Sequence, residues 1–422
     1  MNNRDQNRII FKNTAILSVS RMISSIIPAV VVIIIGRYLG ETGVGFIFGV
    51  LSLVLLIYPF TDFGYSQILI REISRDRNKA KYMIGRALGF TILSSFFFFF
   101  FTLGISKFIK NFPFSYVFIL SVSYLLIHSI TRIWGSSFQA IDRLDLLATM
   151  EITDIGVRFA GILILVFLHR ISVINVIYLY LISSTVLLIF VFAIGTHIFG
   201  FVPIRLQLIS RREIVESSYF SLNFLGTSIF FQLDKVLLSR FSSIKSVGIY
   251  TFAQKVFSLF INILGALLMT TYPWFFRLGK NRKGREYLIF SMKIIGYVFA
   301  FGIFAGSSVY FTAPFIVKLM GSSFNDSILA LRILSPYPLL WGITQVLGNV
   351  LTGADYQKER MQIIWVGAIM DIILDVILII KYSWIGAAVA TMLSYLIVIL
   401  LQAGFMWSKG IFLERRENEK NG

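Results

Sequence analysis

Apolar stretches of about 20 residues or more recur along the chain, at about 14–36, 44–66, 84–106, 114–138, 147–168, 172–198, 216–239, 247–275, 288–311, 329–353, 361–380 and 384–407. At 1.5 Å rise per residue, each is long enough to cross a bilayer core of roughly 30 Å as a helix. Lipid offers backbone polar groups no hydrogen bonds, so windows of this length must satisfy them internally, as helices do. Of the 422 residues, 57% are hydrophobic and only 14% charged, and Phe alone supplies 42. A soluble core has no use for so much apolar surface. The pattern predicts an all-α integral membrane protein with twelve transmembrane helices and both termini on one side.

The windows are not independent. Arg37-Tyr38 is followed by Val44-Gly45-Phe46, and Arg240-Phe241 by Val247-Gly248-Ile249, an offset of 203 residues in both cases. A repeat at half the chain length predicts two pseudo-symmetric six-helix bundles around a central cavity, an arrangement in which halves can rock about a shared site. The expected organisation is an N-terminal bundle over 1–198, a cytoplasmic linker over 199–215 carrying Gly200, Pro203 and Arg211-Arg212, a C-terminal bundle over 216–407 and a tail over 408–422.

The net charge of +18 follows from topology. Both termini and the even-numbered turns hold 25 of the 39 basic residues, the opposite turns 8, and the spans the remaining 6. The excess places both termini in the cytoplasm, in a multi-pass protein of the cell membrane, and leaves nucleic acid a poor explanation for the charge. The first apolar window is too long for a signal-peptide core and reads as a retained span. Cysteine is absent, and His128, His169 and His197 lie on separate segments, which argues against a metal site. No Walker loop, dinucleotide glycine fingerprint or HExxH sequence is present. No cofactor is expected. The Phe run 96–101 reads as a lipid-facing stripe.

The stretch GRYLGETGVGFIFGVLSLVLLIYPFTDFGYSQILIREISRD, 36–76, resembles the second-span signature of polysaccharide and lipid-linked-oligosaccharide flippases. These belong to the multidrug/oligosaccharidyl-lipid/polysaccharide exporter superfamily. FQLDKVLLSRFSSIKSVGIYTFAQKV (231–256), APFIVKLMGSSFNDSILALRILSPY (313–337) and WIGAAVATMLSYLIV (384–398) look like the same family. The resemblance implies two six-helix bundles about a V-shaped cavity that opens alternately to each side. It also implies a substrate with a lipid phosphate or pyrophosphate and a glycan head. Membrane lipids and glycan-assembly enzymes are the expected partners, and a monomer the functional unit.

Ionisable residues inside spans cost several kcal/mol, roughly 2.5–3.5 on insertion scales, unless paired or wet, so each is a candidate site residue. Arg21 sits among Ser18, Ser20, Ser24 and Ser25, below Pro28, and reads as a phosphate clamp or a salt-bridge partner. His128 and Arg132 share a helix face at i,i+4. Arg132 fits a phosphate ligand or a snorkelling cation, and His128 a packed, hydrogen-bonded residue. Asp154 and Arg158 can pair within their helix, beside Glu151, and Arg158 is the third candidate for phosphate. Asp371 and Asp375 are one turn apart in an apolar helix, an arrangement suited to coupling a proton or sodium ion, or to pairing with basic neighbours. The paired acids depart from the family pattern, where Asn-like residues are common. Asp234-Lys235 and Lys255, beside Gln254, match polar marks of the family and read as structural or gating pairs. Asn223, Thr227, Ser228 and Gln232, with Thr344, Gln345 and Asn349, can bond sugar hydroxyls or neighbouring helices.

A flippase moving a lipid-linked oligosaccharide to the outer leaflet is the leading expectation. A cation-coupled drug or metabolite exporter is the alternative, motivated by Asp371 and Asp375 but disfavoured by the arginines. A membrane glycan polymerase or ligase ranks last, because every outer loop is short.

Overall fold

The computed structural model describes the backbone of residues 3–109, 111–206, 210–280 and 284–411; within these, the side chains of 3–25, 211, 212, 223, 280 and 284 lie outside the description. Every regular element among the described residues is helical. The α-helices are α1 (Asn3–Ile57), α2 (Tyr65–Arg75), α3 (Ala80–Ser106), α4 (Phe114–Ser121), α5 (Ser129–Ala140), α6 (Leu144–Phe167), α7 (Val173–Phe199), α8 (Arg211–Ser228), α9 (Asp234–Phe241), α10 (Ile244–Lys280), α11 (Gly284–Met320), α12 (Ser327–Ile333), α13 (Tyr337–Gly353) and α14 (Gln357–Ser408). Two π-helical segments, Val122–His128 and Ile229–Leu233, join α4 to α5 and α8 to α9.

Eight helical stretches among the described residues are long and apolar enough to cross a membrane. Two of these contain a break: Gly40 interrupts α1 at φ 66°, and Ser383 interrupts α14 at φ 54°. The breaks fall between the paired windows 14–36 and 44–66, and 361–380 and 384–407. At Ser383 the chain folds back, since a side-chain carbon on Gly386 would collide with the Leu378 carbonyl. Two expected windows differ in detail. The helix expected through 66 ends at Ile57, because Pro59 and the left-handed Gly64 (φ 72°) divert the chain into the separate amphipathic helix α2. The window 329–353 is split into α12 and α13 around Pro336, since the residue before a proline resists the helical conformation, and Pro338 is accommodated in the first turn of α13.

The chain divides into two compact units, Met1–Thr251 and Phe252–Gly422. The core of the first is built on Trp134, Phe138, Leu187 and Phe199, with Tyr65 and Leu69 from α2. The core of the second is built on Leu264, Phe275, Val298, Val346 and Val350. Phe96, Phe97, Phe100 and Phe101 are exposed, whereas Phe99 is buried and Phe98 stacks on Phe60 at 5.4 Å.

Within the first unit the chain after α7 lies along α3. The Arg205 amide donates to the Gly85 carbonyl at 3.0 Å. Gly85 and Gly89, one turn apart, leave room for the carbonyls of Pro203 and Arg205. The Arg86 guanidinium then grips the Glu213 carboxylate with two hydrogen bonds of 2.9 and 2.8 Å, and Arg71 pairs with Glu216. Ser210 and Glu213 form a reciprocal cap at the start of α8. These contacts dock α8 on α2 and α3.

The two copies of the repeat meet each other in this unit. A side-chain carbon on Gly45 would collide with the Ile244 carbonyl, and one on Gly248 with the Glu41 carbonyl. The contact is reciprocal, helix backbone against helix backbone, and only hydrogen at both positions allows it. Val44 and Val247 are fully buried beside it, and Lys245 lies 3.4 Å from Glu41. Gly45→Ala and Gly248→Ala should each lower the thermal unfolding temperature of the detergent-purified protein, by the equivalent of about 1–3 kcal/mol of overpacking. The double variant should cost less than the two single losses added, because both open one seam. Additive losses would show that the two glycines act separately.

Candidate functional site

The first unit contains a cavity of about 640 Å³. Its wall includes Tyr58, Gln67, His128, Arg132, Glu151 and Asp154, with Ser228 and Gln232 from α8 and the π-helical segment after it.

Arg132 reaches this wall from α5. Its guanidinium lies 3.4 Å from Asp62, whose side chain is fully buried. It also donates to the Tyr58 carbonyl and the Thr61 hydroxyl, both at 2.9 Å, and its central carbon sits 3.9 Å from the Tyr58 ring centroid. Asp62 is held at the start of α2, where it accepts from the amides of Gly64 at 3.2 Å and Ser66 at 3.4 Å. Those amides are the free donors of a helix N-terminus, a favourable place for a carboxylate. Asp62, Tyr58 and Thr61 were missed as site residues. The signal was an acid inside the apolar run YPFTDFG, within the stretch that carries the family resemblance.

The second arginine is anchored more deeply. Arg158 pairs with Asp154 one turn back on α6. It donates to the Ser183 hydroxyl at 3.1 Å and to the Tyr124 hydroxyl at 3.2 Å, and lies 4.8 Å from the Tyr180 ring centroid. The His128 ring stacks on Tyr124, with centroids 4.8 Å apart and planes 14° apart. Its Nε2 faces Asp154 at 3.6 Å, beyond hydrogen-bond range. The π-helical turn over Val122–His128 sets the angle at which Tyr124 and His128 leave the helix, and such turns are frequent at functional sites. Arg132, Tyr58, His128 and Asp154 thus line one cavity, with Asp62 paired to Arg132 and Arg158 paired to Asp154.

The structure therefore brings His128, Arg132, Asp154 and Arg158 together. Thr227 is exposed on α8. Arg21, Ser24, Ser25 and Asn223 lie outside the described side chains. Asp234 is buried in the first unit and bonded by Lys235 at 3.2 Å and by the Tyr250 hydroxyl at 2.5 Å, while Arg240 leans over Phe241. The remaining candidates are in the second unit. Gln345 and Asn349 lie one turn apart on α13, and Lys255 is half-buried on α10. Asp371 and Asp375 are buried on α14, along with Thr391, Ser394 and Gln402.

A protein-family model described as polysaccharide biosynthesis protein matches residues 10–279. The chain belongs to the polysaccharide biosynthesis protein family. An uncharacterized membrane protein of Methanocaldococcus jannaschii, MJ1068, is 23% identical over 394 residues, covering 86% of this chain and 77% of that protein. The probable low-salt glycan biosynthesis flippase Agl15 of Haloferax volcanii is 24% identical over 194 residues, which are 46% of this chain and 41% of that protein. Among solved structures, a multidrug resistance MATE family transporter of the MOP superfamily, in an inward-facing conformation, superimposes with a TM-score of 0.75 at 15% identity, covering 93% of this chain and 98% of the other. A MOP superfamily transporter from Pyrococcus furiosus superimposes at 0.64, with 16% identity and coverage of 94% and 96%. The fold of this family member is thus MATE-like, and family and fold together support a membrane flippase or exporter.

Breaking one buried ion pair should cost more than removing it whole, because a lone charge is left in the protein interior. Asp62→Asn should lower the thermal unfolding temperature by the equivalent of about 3–5 kcal/mol. Asp62→Asn with Arg132→Gln should recover more than half of that loss. A double variant no more stable than Asp62→Asn would show that the two residues are not coupled.

Proposed function

We propose that this protein flips a lipid-(pyro)phosphate-linked oligosaccharide from the cytoplasmic to the outer leaflet of the cell membrane, for surface polysaccharide or glycan assembly. The observation that carries this reading is the Asp62–Arg132 pair beside the cavity of the first unit. A guanidinium matches phosphate oxygens with two parallel donors, and an arriving phosphate can replace Asp62 as its counter-charge. Arg158 can exchange Asp154 for phosphate in the same way, and Arg21 is assigned to the same anion. Family membership and the relation to the Haloferax glycan flippase support a glycan cargo. Ser24, Ser25, His128, Asn223, Thr227, Gln345 and Asn349 are assigned to the sugar hydroxyls.

Twelve crossings are the count this reading uses. The eight apolar stretches, two of them broken at Gly40 and Ser383, give ten. The two others are α6, which carries Glu151, Asp154 and Arg158, and the α8–α9 run. The halves 1–198 and 216–407 alternate access by rocking, with both termini cytoplasmic and the chain acting as a monomer beside membrane lipids and glycan-assembly enzymes. Substrate drives the change only through a difference in affinity between the two states, and exchange of a carboxylate for a phosphate on Arg132 is one source of that difference.

Asp371 and Asp375 are assigned to coupling by a proton or sodium ion. They also motivate the second reading, a cation-coupled exporter of soluble compounds on the same fold.

The test uses proteoliposomes that flip a fluorescent lipid-linked oligosaccharide. The pair variant Asp62→Asn/Arg132→Gln keeps the interior neutral, so it should stay folded and yet flip at least tenfold more slowly. Arg132→Lys should also be slowed, because the planar fork is lost, and so should Arg21→Ala. Wild-type flipping by the pair variant sinks the phosphate role of Arg132. Export of an amphipathic cation down an ion gradient, with no effect of glycolipid, would favour the exporter instead.

The coupling role has its own readout. Asp371→Asn with Asp375→Asn should abolish the dependence of flipping on the ion gradient while pyrophosphate still binds. Gradient-dependent flipping at the wild-type rate in the double variant would remove both acids from coupling.

A further inference from the structure

The second unit contains a guanidinium whose surroundings differ from those of the arginines described above. Along α13, Gln345, Gly348, Asn349 and Thr352 recur at spacings of three and four and so share one helix face. A tight turn follows, with Asp355 in the left-handed region at φ 69° and the Tyr356 amide donating to the Leu351 carbonyl at 2.8 Å. It lays the first turn of α14 back against the last turns of α13. The Thr352 hydroxyl donates to Gln357 Oε1 at 2.6 Å, and Arg360 donates to the Thr352 oxygen at 2.8 Å. Tyr272 from α10 shares a further hydrogen bond with Arg360.

Gly348 completes the setting. A side-chain carbon there would lie 2.7 Å from Arg360 Nε and 3.1 Å from its NH2, so glycine alone leaves the guanidinium its place. Three helices thus hold a partly buried cation with neutral oxygens and a backbone notch. Arg71, Arg86, Arg132 and Arg158 each have a carboxylate within salt-bridge range. Among the described residues no carboxylate pairs with Arg360. A positive charge set into the end of a helical bundle without a counter-charge is costly. A residue that only tied α13 to α14 would do so at less cost as a neutral amide.

We propose that Arg360, with Thr352, Tyr272 and the Gly348 notch, is an anion site of the second unit that takes a phosphate or diphosphate ester. It rests on the flippase reading for its natural ligand, the phosphate end of the cargo lipid; a phospholipid headgroup carries the same chemistry. Gln345 and Asn349, on the same face of α13, place amide groups beside the site for the first sugar.

The experiment is titration of the full-length protein with inorganic pyrophosphate, in nanodiscs of phosphatidylcholine, by calorimetry and thermal unfolding. Pyrophosphate carries no glycan or lipid, so the result is independent of whether the protein flips anything. Arg360→Gln should remove one bound pyrophosphate per chain, or weaken it at least tenfold, while the unfolding temperature without ligand stays level or rises. Gly348→Ala, which displaces the guanidinium without removing it, should weaken the same binding. In nanodiscs containing phosphatidylglycerol, competition confined to chains with Arg360 would identify a lipid headgroup as an occupant, and its absence would leave the cargo phosphate. Two results overturn the proposal. One is an Arg360→Gln protein that unfolds at lower temperature and binds pyrophosphate as the wild type does, which makes the residue a tie between helices. The other is binding seen only after removal of 412–422, which assigns the cradle to the tail's own Glu414, Glu417 and Glu419.

Discussion

An ionised side chain inside a bilayer-spanning bundle needs a counter-charge, and the first unit is arranged around that requirement. Asp62 is the element on which most depends. It neutralises Arg132, and it can do so because the chain leaves the helical path at Pro59 and re-enters helix after Gly64, presenting free amides to the carboxylate. The same detour creates α2, whose buried face enters the core and whose Arg71 receives α8 through Glu216. One buried acid thereby links the charge balance of the cavity, the amphipathic helix beside it and the docking of the helix after the linker.

The paired arrangement also suits transport. A permanently paired arginine is stable but inert, and an unpaired one is ready but expensive. Arg132 lines the cavity and is held there by Asp62, and Asp154, the partner of Arg158, lines the same wall, so each guanidinium rests with a counter-charge beside open space. The surrounding tyrosines add cation–π contact to the guanidinium faces, on the order of 1 kcal/mol each, and orient them without neutralising them.

Several features were legible from residues alone. Apolar windows located the helices, including both sides of the breaks at Gly40 and Ser383, because hydropathy is a local property that span length converts directly into structure. The i,i+4 spacing placed His128 with Arg132 and Asp154 with Arg158, since a helix face follows from geometry. The repeat around Gly45 and Gly248 was visible as a pattern, but its physical use was not. Nothing local says that each glycine is required by a carbonyl of the other copy. Asp62 is hidden for a similar reason: its partner is 70 residues away, and a window average masks one acid among mostly apolar neighbours. Arg360 is one of several basic residues near a turn, and nothing local distinguishes it from the others.

The amino-acid sequence by itself determined an all-helical membrane protein, with most of its basic residues in the turns and termini and only a few ionisable residues inside apolar stretches. Those conclusions rest on the cost of exposing backbone or charge to lipid, a cost each segment bears alone. The tertiary structure decided which charges neutralise one another, which glycines let backbones touch, and that Arg360 is held by Thr352 and Tyr272 rather than by a carboxylate of the described residues. These are relations between segments distant in the chain. They depend on the direction in which each helix leaves its turn, set here by Pro59, Gly64, the π-helical segments and Asp355, and no single segment encodes where its partner will be.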